Sequence, residues 1–248
     1  MNFLRSLLFV ILLYGSMVIM GILWLPALLM PRSATLLGIR IWARIARWGM
    51  RTLIGASTEI RGLERLPDGP LILTPRHQAM IDTLLPFLFL KDPCFILKKE
   101  LMYYPVFGLY AWKTGMIAID REGSTKTLKH MTAKAQAAVA AGRSLVIFPE
   151  GTRLKPGQHE PLKPGIALLY KDLNIPCVPV ALNTGYCWPA RGVRRHSGEM
   201  VMEILDPIEP GMNRKAFMRA LEERLEAGMQ PLLREGAEAQ TATMEMTA

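Results

Sequence analysis

The sequence predicts an α/β protein: one domain with a mixed, largely parallel sheet flanked by helices, preceded by N-terminal membrane helices. The prediction rests on a change of pattern along the chain. Residues 1–55 are rich in leucine, tryptophan and arginine and contain no acidic residue. In residues 56–235, short apolar runs bounded by turn residues alternate with segments of helical periodicity, which is typical of strands and helices packed in layers. Residues 236–248 are small and polar, and we expect a flexible tail there.

The overall composition indicates contact with a membrane. Half of the 248 residues are hydrophobic and the formal net charge is +9, while the mean hydropathy is +0.20. Because the positive charge of the first segment is interleaved with large apolar side chains, it suits an anionic inner leaflet better than nucleic acid. The three cysteines, Cys94, Cys177 and Cys187, are far apart and form no C-x-x-C motif. This spacing gives no support for a disulfide framework or a zinc site, and it favours a domain in a reducing cytosol.

Two N-terminal segments carry the membrane prediction. Residues 7–30 contain no charge and as a helix would reach about 36 Å, enough to cross a hydrocarbon core of roughly 30 Å. The run is longer than the apolar region of a usual signal peptide and has no clean cleavage site. Gly15, Gly21 and Pro26 are candidate bends, so crossing the bilayer and entering it to return both stay open. Residues 35–54 carry arginines every three or four positions beside an apolar stripe, which predicts an amphipathic helix at the membrane interface.

The rest of the chain alternates between strand and helix signals. The apolar runs predict strands at residues 57–66, 69–75, 94–99, 116–121, 144–150, 177–184 and 201–208. The segments between them predict helices at residues 80–90, 104–115, 125–141, 164–172 and 213–234. Ser124 is a candidate cap for the third of these helices and Gly142 its candidate stop, while Asn213 is a candidate cap for the last.

Four short motifs lie at or near the ends of predicted strands, where ligands collect in open α/β sheets. They are RHQAMID at 76–82, GMIAIDR at 115–121, FPEGTR at 148–153 and IPCVPV at 175–180. FPEGTR is the most informative, because Gly151 permits close backbone approach, Thr152 offers a hydroxyl and Arg153 can bind an anion through two donors. Arg121 and Lys98, which follow two other strands, are further candidates for anion binding.

No motif for a nucleophilic serine or a metal hydrolase accompanies these stretches. The sequence contains no G-x-S-x-G, no P-loop, no G-x-G-x-x-G and no H-E-x-x-H. His77 and Asp82, five positions apart, remain as candidates for chemistry. Taken alone, a histidine is more often structural and an aspartate at a helix start often serves its first turn, so both interpretations stay open at this point.

In this order, H-x4-D, G-x-x-x-I-D-R, F-P-E-G-T-R and V-P-V resemble the motifs of the glycerolipid acyltransferase family. The resemblance covers roughly residues 57–210, and the pairing of the first motif with the third makes it specific. Within the family the motifs are most similar to those of bacterial 1-acyl-glycerol-3-phosphate acyltransferases, and the N-terminal helices are similar to the membrane-docking helices of bacterial members. The resemblance implies transfer of an acyl group from acyl-CoA or acyl-carrier protein to a lysophospholipid, giving phosphatidic acid. It places the enzyme at a bacterial inner membrane with the catalytic domain facing the cytoplasm.

The resemblance also implies a role for each motif residue. His77 would be the general base that removes the proton of the lysolipid hydroxyl, and Asp82 would orient and stabilise its imidazole. Val178 and Pro179 would pack around the acyl or acceptor site. The substrate phosphate would be held by residues of the second and third motifs and by one lysine: Lys98, Arg121, Glu150, Gly151, Thr152 and Arg153, with Glu150 in a structural or orienting part. No metal or cofactor is implied, because an acyl thioester is already activated.

Three positions depart from the family pattern. Arg76 stands where the family often has Asn or Ser, Ala79 where it often has Ser, and Leu154 follows FPEGTR in place of Ser. None of these changes removes a catalytic group, but they leave the acceptor open. Two alternatives therefore remain: an acyltransferase on another acceptor, such as lyso-ornithine lipid or glycerol 3-phosphate, and a non-catalytic lipid-binding protein.

Overall fold

A seven-stranded sheet organises the part of the chain that the computed structural model describes, residues 2–120 and 125–245. The strands are β1 (Ala56–Arg61), β2 (Ile72–Pro75), β3 (Pro93–Lys98), β4 (Ile117–Ile119), β5 (Ser144–Val146), β6 (Cys177–Leu182) and β7 (Gly198–Ile204). Their order in the sheet is β1-β7-β6-β2-β5-β3-β4. Only the β6–β7 pair is antiparallel among these strands. The prediction of a mixed, largely parallel sheet is thus confirmed.

Helices cover both faces of this sheet. They are α1 (Asn2–Leu23), α2 (Arg32–Gly49), α3 (Pro86–Phe89), α4 (Pro105–Lys113), α5 (Thr125–Ala140), α6 (Gly165–Leu173) and α7 (Arg214–Glu245). Because successive strand residues point to opposite faces, Leu73 packs in the core shared with α1, α2 and α3, whereas Ile72 packs in the core shared with α5, α6 and α7. Burial on both sides explains why β2 and β6 read as continuous apolar runs.

The helix predicted at residues 80–90 is broken in the structure. A 3-10 turn at Met80–Thr83 is followed by a single α-helical turn, α3. Pro86 contributes to the break because it has no N–H to donate to the preceding turn, although Leu85 before it keeps a helical backbone. Met80–Thr83 is therefore a separate short turn that continues the loop after β2.

The last helix is longer than predicted, because α7 continues to Glu245 instead of ending near residue 234. Gly236 helps to explain the extension. A Cβ at this position would come within 2.3 Å of the Tyr186 ring, so the glycine allows the helix to pack closely against that side chain. Gln240 Nε2 then donates a hydrogen bond to the Tyr186 carbonyl at 3.2 Å. Residues 246–248, the candidate cap Ser124 and the predicted anion ligand Arg121 lie outside the described residues.

The first helix lies along the domain. By length and composition, Phe3–Leu23 is apolar enough to cross a membrane. Near its start, Ser6 Oγ accepts a hydrogen bond from Arg195 N at 2.9 Å, and near its end the Gly21 carbonyl accepts one from the Tyr110 hydroxyl at 2.6 Å. Both ends of α1 are therefore tied to the domain. The uncharged run does not continue as one helix, since it turns at Trp24 into a 3-10 turn, Leu25–Leu29.

The arginine stripe of α2 is divided between the domain and its surroundings. Arg40 donates to the carbonyls of Phe87 and Leu90, and Arg47 donates to the carbonyl of Thr58. Arg44, Arg51 and the 57% exposed Trp48 remain on the outside. The predicted interfacial face is accordingly narrower than the sequence pattern suggested.

Candidate active site

His77 lies in the loop between β2 and the 3-10 turn Met80–Thr83. β2 and β5 are parallel neighbours, so the segments that follow them leave the same edge of the sheet. Here the loop of the first motif meets the third motif, where Leu154 N donates to the His77 carbonyl at 2.8 Å. The sheet topology thus brings H-x4-D and FPEGTR together.

His77 and Asp82 form a hydrogen-bonded pair. Asp82 Oδ2 lies 3.1 Å from His77 Nδ1. The placement that the spacing predicted, a loop histidine and an aspartate in the first turn after it, is the one observed. A carboxylate at Nδ1 favours the tautomer with the proton on that nitrogen, which leaves the Nε2 lone pair available to accept a proton.

The Asp82 carboxylate is completely buried and fully engaged. Its Oδ2 accepts the backbone N–H groups of Gln78 and Ala79, each at 2.7 Å, and its Oδ1 accepts the Thr184 hydroxyl at 2.6 Å. These donors come from the turn itself and from the segment after β6. They fix the carboxylate and, through it, the orientation of the imidazole.

The imidazole of His77 is also held from one face. Its ring stacks on Phe148 with the centroids 4.0 Å apart and the planes at 22°. The side chain keeps 12% of its surface exposed. Stacking and the Asp82 contact together leave the ring one accessible edge, which is the arrangement required of a positioned base.

Arg76, the unusual residue before the histidine, points away from any exposed site. It is 5% exposed, and its guanidinium donates to Glu150 Oε1 at 2.7 Å and to Glu226 of α7. His159 reaches the same Glu226 carboxylate at 2.9 Å. Burial raises the pKa of Glu150, and the Arg76 guanidinium offsets this only in part. Arg76 therefore ties the loop of His77 to the third motif and to α7.

Glu150 belongs with the supporting residues. Its side chain is buried against Arg76 and does not face outward with the residues that follow it. A buried, ion-paired carboxylate is unsuited to direct contact with an anion, which favours the structural part over phosphate binding for Glu150.

The rest of the FPEGTR turn is open to solvent. Gly151 has a φ of +72°, a left-handed conformation that favours glycine, and it reverses the chain after the buried Glu150. Thr152 and Arg153 are exposed beyond it, and Arg153 Nη1 reaches the Ala190 carbonyl at 3.5 Å. A hydroxyl and a guanidinium on one exposed turn can bind a phosphate or a carboxylate.

Lys98 stands apart from this turn. It ends β3 at the same edge of the sheet, but its Nζ lies 3.7 Å from Glu100 and its side chain is 49% exposed. The structure brings His77, Asp82, Thr152 and Arg153 to one loop cluster and leaves Lys98 paired with its own neighbour.

Val178 and Pro179 lie inside the sheet. Both are buried in β6, and Pro179 stands in register with Thr74 of β2. Val178 packs in the main core cluster. They hold β6 beside β2, and their contact with an acyl chain or an acceptor stays a prediction.

Sequence reasoning missed Thr184, Gln78 and Phe148. Thr184 donates to Asp82, and Gln78 Oε1 accepts the Gly185 N–H at 2.9 Å, which joins the segment after β6 to the loop of His77. The available signal was Thr184 itself, the last residue of a predicted strand whose end lies at the edge of the sheet where ligands bind. Within the described residues, no group of three or more His, Cys, Asp and Glu side chains could hold a metal ion.

Comparison with known proteins agrees with this architecture. Residues 57–183 match the family model described as Acyltransferase. The chain is 32% identical over 202 residues to the 1-acyl-sn-glycerol-3-phosphate acyltransferase of Pseudomonas aeruginosa, covering 81% of this chain and 79% of that protein. It is 29% identical over 189 residues to the human 1-acyl-sn-glycerol-3-phosphate acyltransferase alpha, covering 75% of this chain and 67% of that protein.

A solved structure shares the fold. The crystal structure of the 1-acyl-sn-glycerophosphate (LPA) acyltransferase PlsC from Thermotoga maritima superposes with a TM-score of 0.77 over 93% of this chain and 95% of that one, at 22% sequence identity. The chain described here belongs to the acyltransferase family.

Proposed function

We propose that this chain transfers a fatty acyl group from acyl-CoA or acyl-carrier protein to the sn-2 hydroxyl of 1-acyl-glycerol-3-phosphate, giving phosphatidic acid. The observation that carries the proposal is the buried Asp82 carboxylate, which three donors hold against His77 Nδ1. A lipid-binding protein without catalysis has no need of a positioned base. The names of the relatives supply the acceptor.

The proposed reaction uses a hydroxyl of the substrate as the nucleophile. His77 Nε2 takes the hydroxyl proton while the oxygen attacks the thioester carbonyl carbon. Asp82 stabilises the imidazolium that forms. The tetrahedral intermediate then expels the thiolate as the C–S bond breaks, and the imidazolium returns the proton to sulfur. The products are an ester and a free thiol, and neither a metal nor a cofactor enters the scheme.

The lysolipid phosphate is proposed to bind at Thr152 and Arg153, with the Gly151 turn allowing close approach. Arg153 is exposed and its Nη1 reaches the Ala190 carbonyl at 3.5 Å, a long contact that leaves the guanidinium available to a phosphate. Lys98 and Arg121 are proposed to complete the anion site when substrate is bound. Lys98 would exchange its contact with Glu100 for the ligand.

We propose that the domain faces the cytoplasm at the inner membrane of a bacterium and that α1 lies in the anionic inner leaflet without crossing it. The hydrogen bonds of Ser6 and Gly21 to the domain support this orientation, because a helix tied at both ends cannot run away from the domain. Its outer side exposes a continuous set of apolar side chains: Phe3, Leu4, Leu8, Ile11, Val18, Ile19, Ile22 and Leu23. An apolar helix side of this kind suits the acyl boundary of one leaflet.

The acceptor can be tested directly with the purified full-length chain in mixed micelles. Labelled acyl-CoA and acyl-acyl-carrier protein would each be offered with lysophosphatidic acid, lyso-ornithine lipid or glycerol 3-phosphate. Labelled phosphatidic acid as the main product supports the proposal. Arginine binds a carboxylate as well as a phosphate, so a main product from lyso-ornithine lipid would overturn the acceptor, and no transfer to any acceptor would favour a binding protein.

A further inference from the structure

A small cavity lies where the first turn of α1 meets the segment that precedes β7. It is lined by Arg5, Ile54, Arg195 and Ser197 and has a volume of about 70 Å³. Since a water molecule needs only about 10–15 Å³ in this measure, the cavity has room for a small polar group. It lies on a different part of the chain from the loop cluster around His77.

The lining of this cavity is positively charged and lacks a carboxylate. Neither Arg5 nor Arg195 forms an ion pair with an acid in the part of the chain that the structure describes. Arg195 is 8% exposed, and its Nε is buried without a hydrogen-bond partner. Its Nη1 donates to the backbone carbonyls of Gly192 and Arg194, and its guanidinium lies over the Trp188 ring, 5.0 Å from the centroid. Burial lowers the pKa of Arg195, as expected of a guanidinium removed from water without an anionic partner.

An anion in the cavity would resolve this imbalance. Two guanidiniums that share a cavity repel each other, and the Trp188 ring does not neutralise the buried charge of Arg195 as an anion would. A phosphate accepts several N–H and O–H donors at once, which the two arginines and the Ser197 hydroxyl can supply. The donors of the lining are therefore suited to an anion of the size of phosphate.

The surroundings indicate that this phosphate belongs to a lipid. The first turns of α1 expose Phe3, Leu4 and Leu8 at 56%, 62% and 46%. The segment before β7 adds exposed cationic side chains, those of Arg191 and Arg194. Apolar side chains beside a basic cavity match a ligand that joins a negative head group to acyl chains.

We propose that Arg5, Arg195 and Ser197 form a binding site for the phosphate of an anionic phospholipid, separate from the candidate active site. The proposal rests on the proposed function only in taking α1 to lie at the bilayer surface. A lipid phosphate held there connects the start of α1 to the segment that runs back to Thr184. Membrane docking would then steady the same segment that donates to Asp82.

The test is binding of the full-length chain to vesicles of phosphatidylcholine alone and of phosphatidylcholine with about one-fifth phosphatidylglycerol, which gives a negative surface potential. The variant Arg5→Gln/Arg195→Gln is compared with the charge-matched Arg191→Gln/Arg194→Gln, which removes two exposed arginines of the same region. We expect the first variant to lose at least about tenfold more affinity for the anionic vesicles than the second. Equal losses would mean general charge attraction and would overturn the site.

Two further measurements keep the outcome decisive. Arg5 is exposed, so Arg5→Gln alone should fold normally and still weaken anionic binding about fivefold; no change would count against the site even if Arg195 variants misfold. Inorganic phosphate, at an ionic strength matched with chloride, should compete poorly because it brings no acyl chains. Strong competition would assign the cavity to free phosphate and overturn the lipid assignment.

The two proposals fail separately. A wild-type chain that makes phosphatidic acid but shows equal losses in both double variants would keep the proposed function and remove the lipid site. A wild-type chain whose binding depends on Arg5 and Arg195 but which transfers no acyl group would do the reverse.

Discussion

The His77–Asp82 pair and the Thr152–Arg153 turn lie at the same edge of the sheet but are held in opposite ways. Asp82 is fully buried and accepts hydrogen bonds from two backbone groups and two side chains. Arg153 is exposed and makes a single long contact to a backbone carbonyl. Hydrogen bonds make the His77–Asp82 pair a rigid region without a ligand, whereas the Thr152–Arg153 turn is a region open to solvent.

The difference follows from what each region has to do. A base must be oriented before the substrate arrives, because proton transfer depends on short distances and fixed angles. An anion clamp must exchange water for substrate in every turnover, so its donors stay exposed until the ligand orders them. Glu150 belongs with Arg76 to the rigid region, although it stands in the same motif as Thr152 and Arg153.

The largest effect expected within this comparison is on turnover. Asp82→Asn keeps the shape of the side chain but removes the charge that orients and stabilises the imidazole. We expect kcat to fall by about 100-fold or more, with little change in the KM for the lysolipid. A steady-state assay on protein shown to be folded by circular dichroism measures both constants. A change confined to KM would place Asp82 in the open region instead.

The next effect is on stability. Arg76→Met leaves Glu150 buried without its cation, which should reduce the free energy of unfolding by about 3–5 kcal/mol. Urea unfolding in a constant detergent concentration measures it. The double variant Arg76→Met/Glu150→Gln should recover part of the loss, because no uncompensated charge is then left inside. A cost under about 1 kcal/mol for the single variant, typical of exposed pairs, would show that this pair does not hold the rigid region.

A smaller effect is expected from the open region. Arg153→Gln should raise the KM for lysophosphatidic acid about tenfold and change kcat less, because the lost contact is a charge-assisted hydrogen bond to the bound phosphate. Lys98→Gln also removes one positive charge, but from a side chain already near Glu100. The KM for lysophosphatidic acid should therefore rise less than in Arg153→Gln. A larger rise in KM for Lys98→Gln than for Arg153→Gln would make Lys98, and not Arg153, the main ligand of the phosphate.

The smallest effect tests the positioning of the dyad. Thr184→Val removes one of the donors to Asp82 and should lower kcat about fivefold with KM unchanged, because the backbone donors of Gln78 and Ala79 still hold the carboxylate. Thr184→Ser keeps the hydroxyl and should restore most of the rate. If the serine variant were as slow as the valine variant, the methyl group rather than the hydroxyl would matter.

Patterns local in sequence predicted much of the fold. The apolar runs anticipated the strands because burial on both faces demands them, and the spacing of His77 and Asp82 anticipated a loop followed by a turn. Contacts between segments far apart in the chain could not be predicted from these local patterns. The sequence shows Arg76 only as a positive charge next to His77. Its partner Glu226 is 150 positions away on α7. Thr184 joins the site only because β6 lies beside β2.

The wrong end of the last helix has its origin in tertiary packing. The small, polar residues after position 235 indicated a tail, but Gly236 lets α7 pack on Tyr186 and continue to Glu245. A neighbour distant in sequence decided where the helix ends.

The most direct test of the central claim, that His77 is the base of an acyl transfer, is the rate of labelled phosphatidic acid formation by wild type and by His77→Ala in purified membranes. Equal amounts of protein would be supplied with lysophosphatidic acid and labelled acyl-CoA. The structure predicts a loss of at least ~100-fold in the variant at an unchanged level of folded protein. Equal rates for the two proteins would remove His77 from the chemistry and contradict the account.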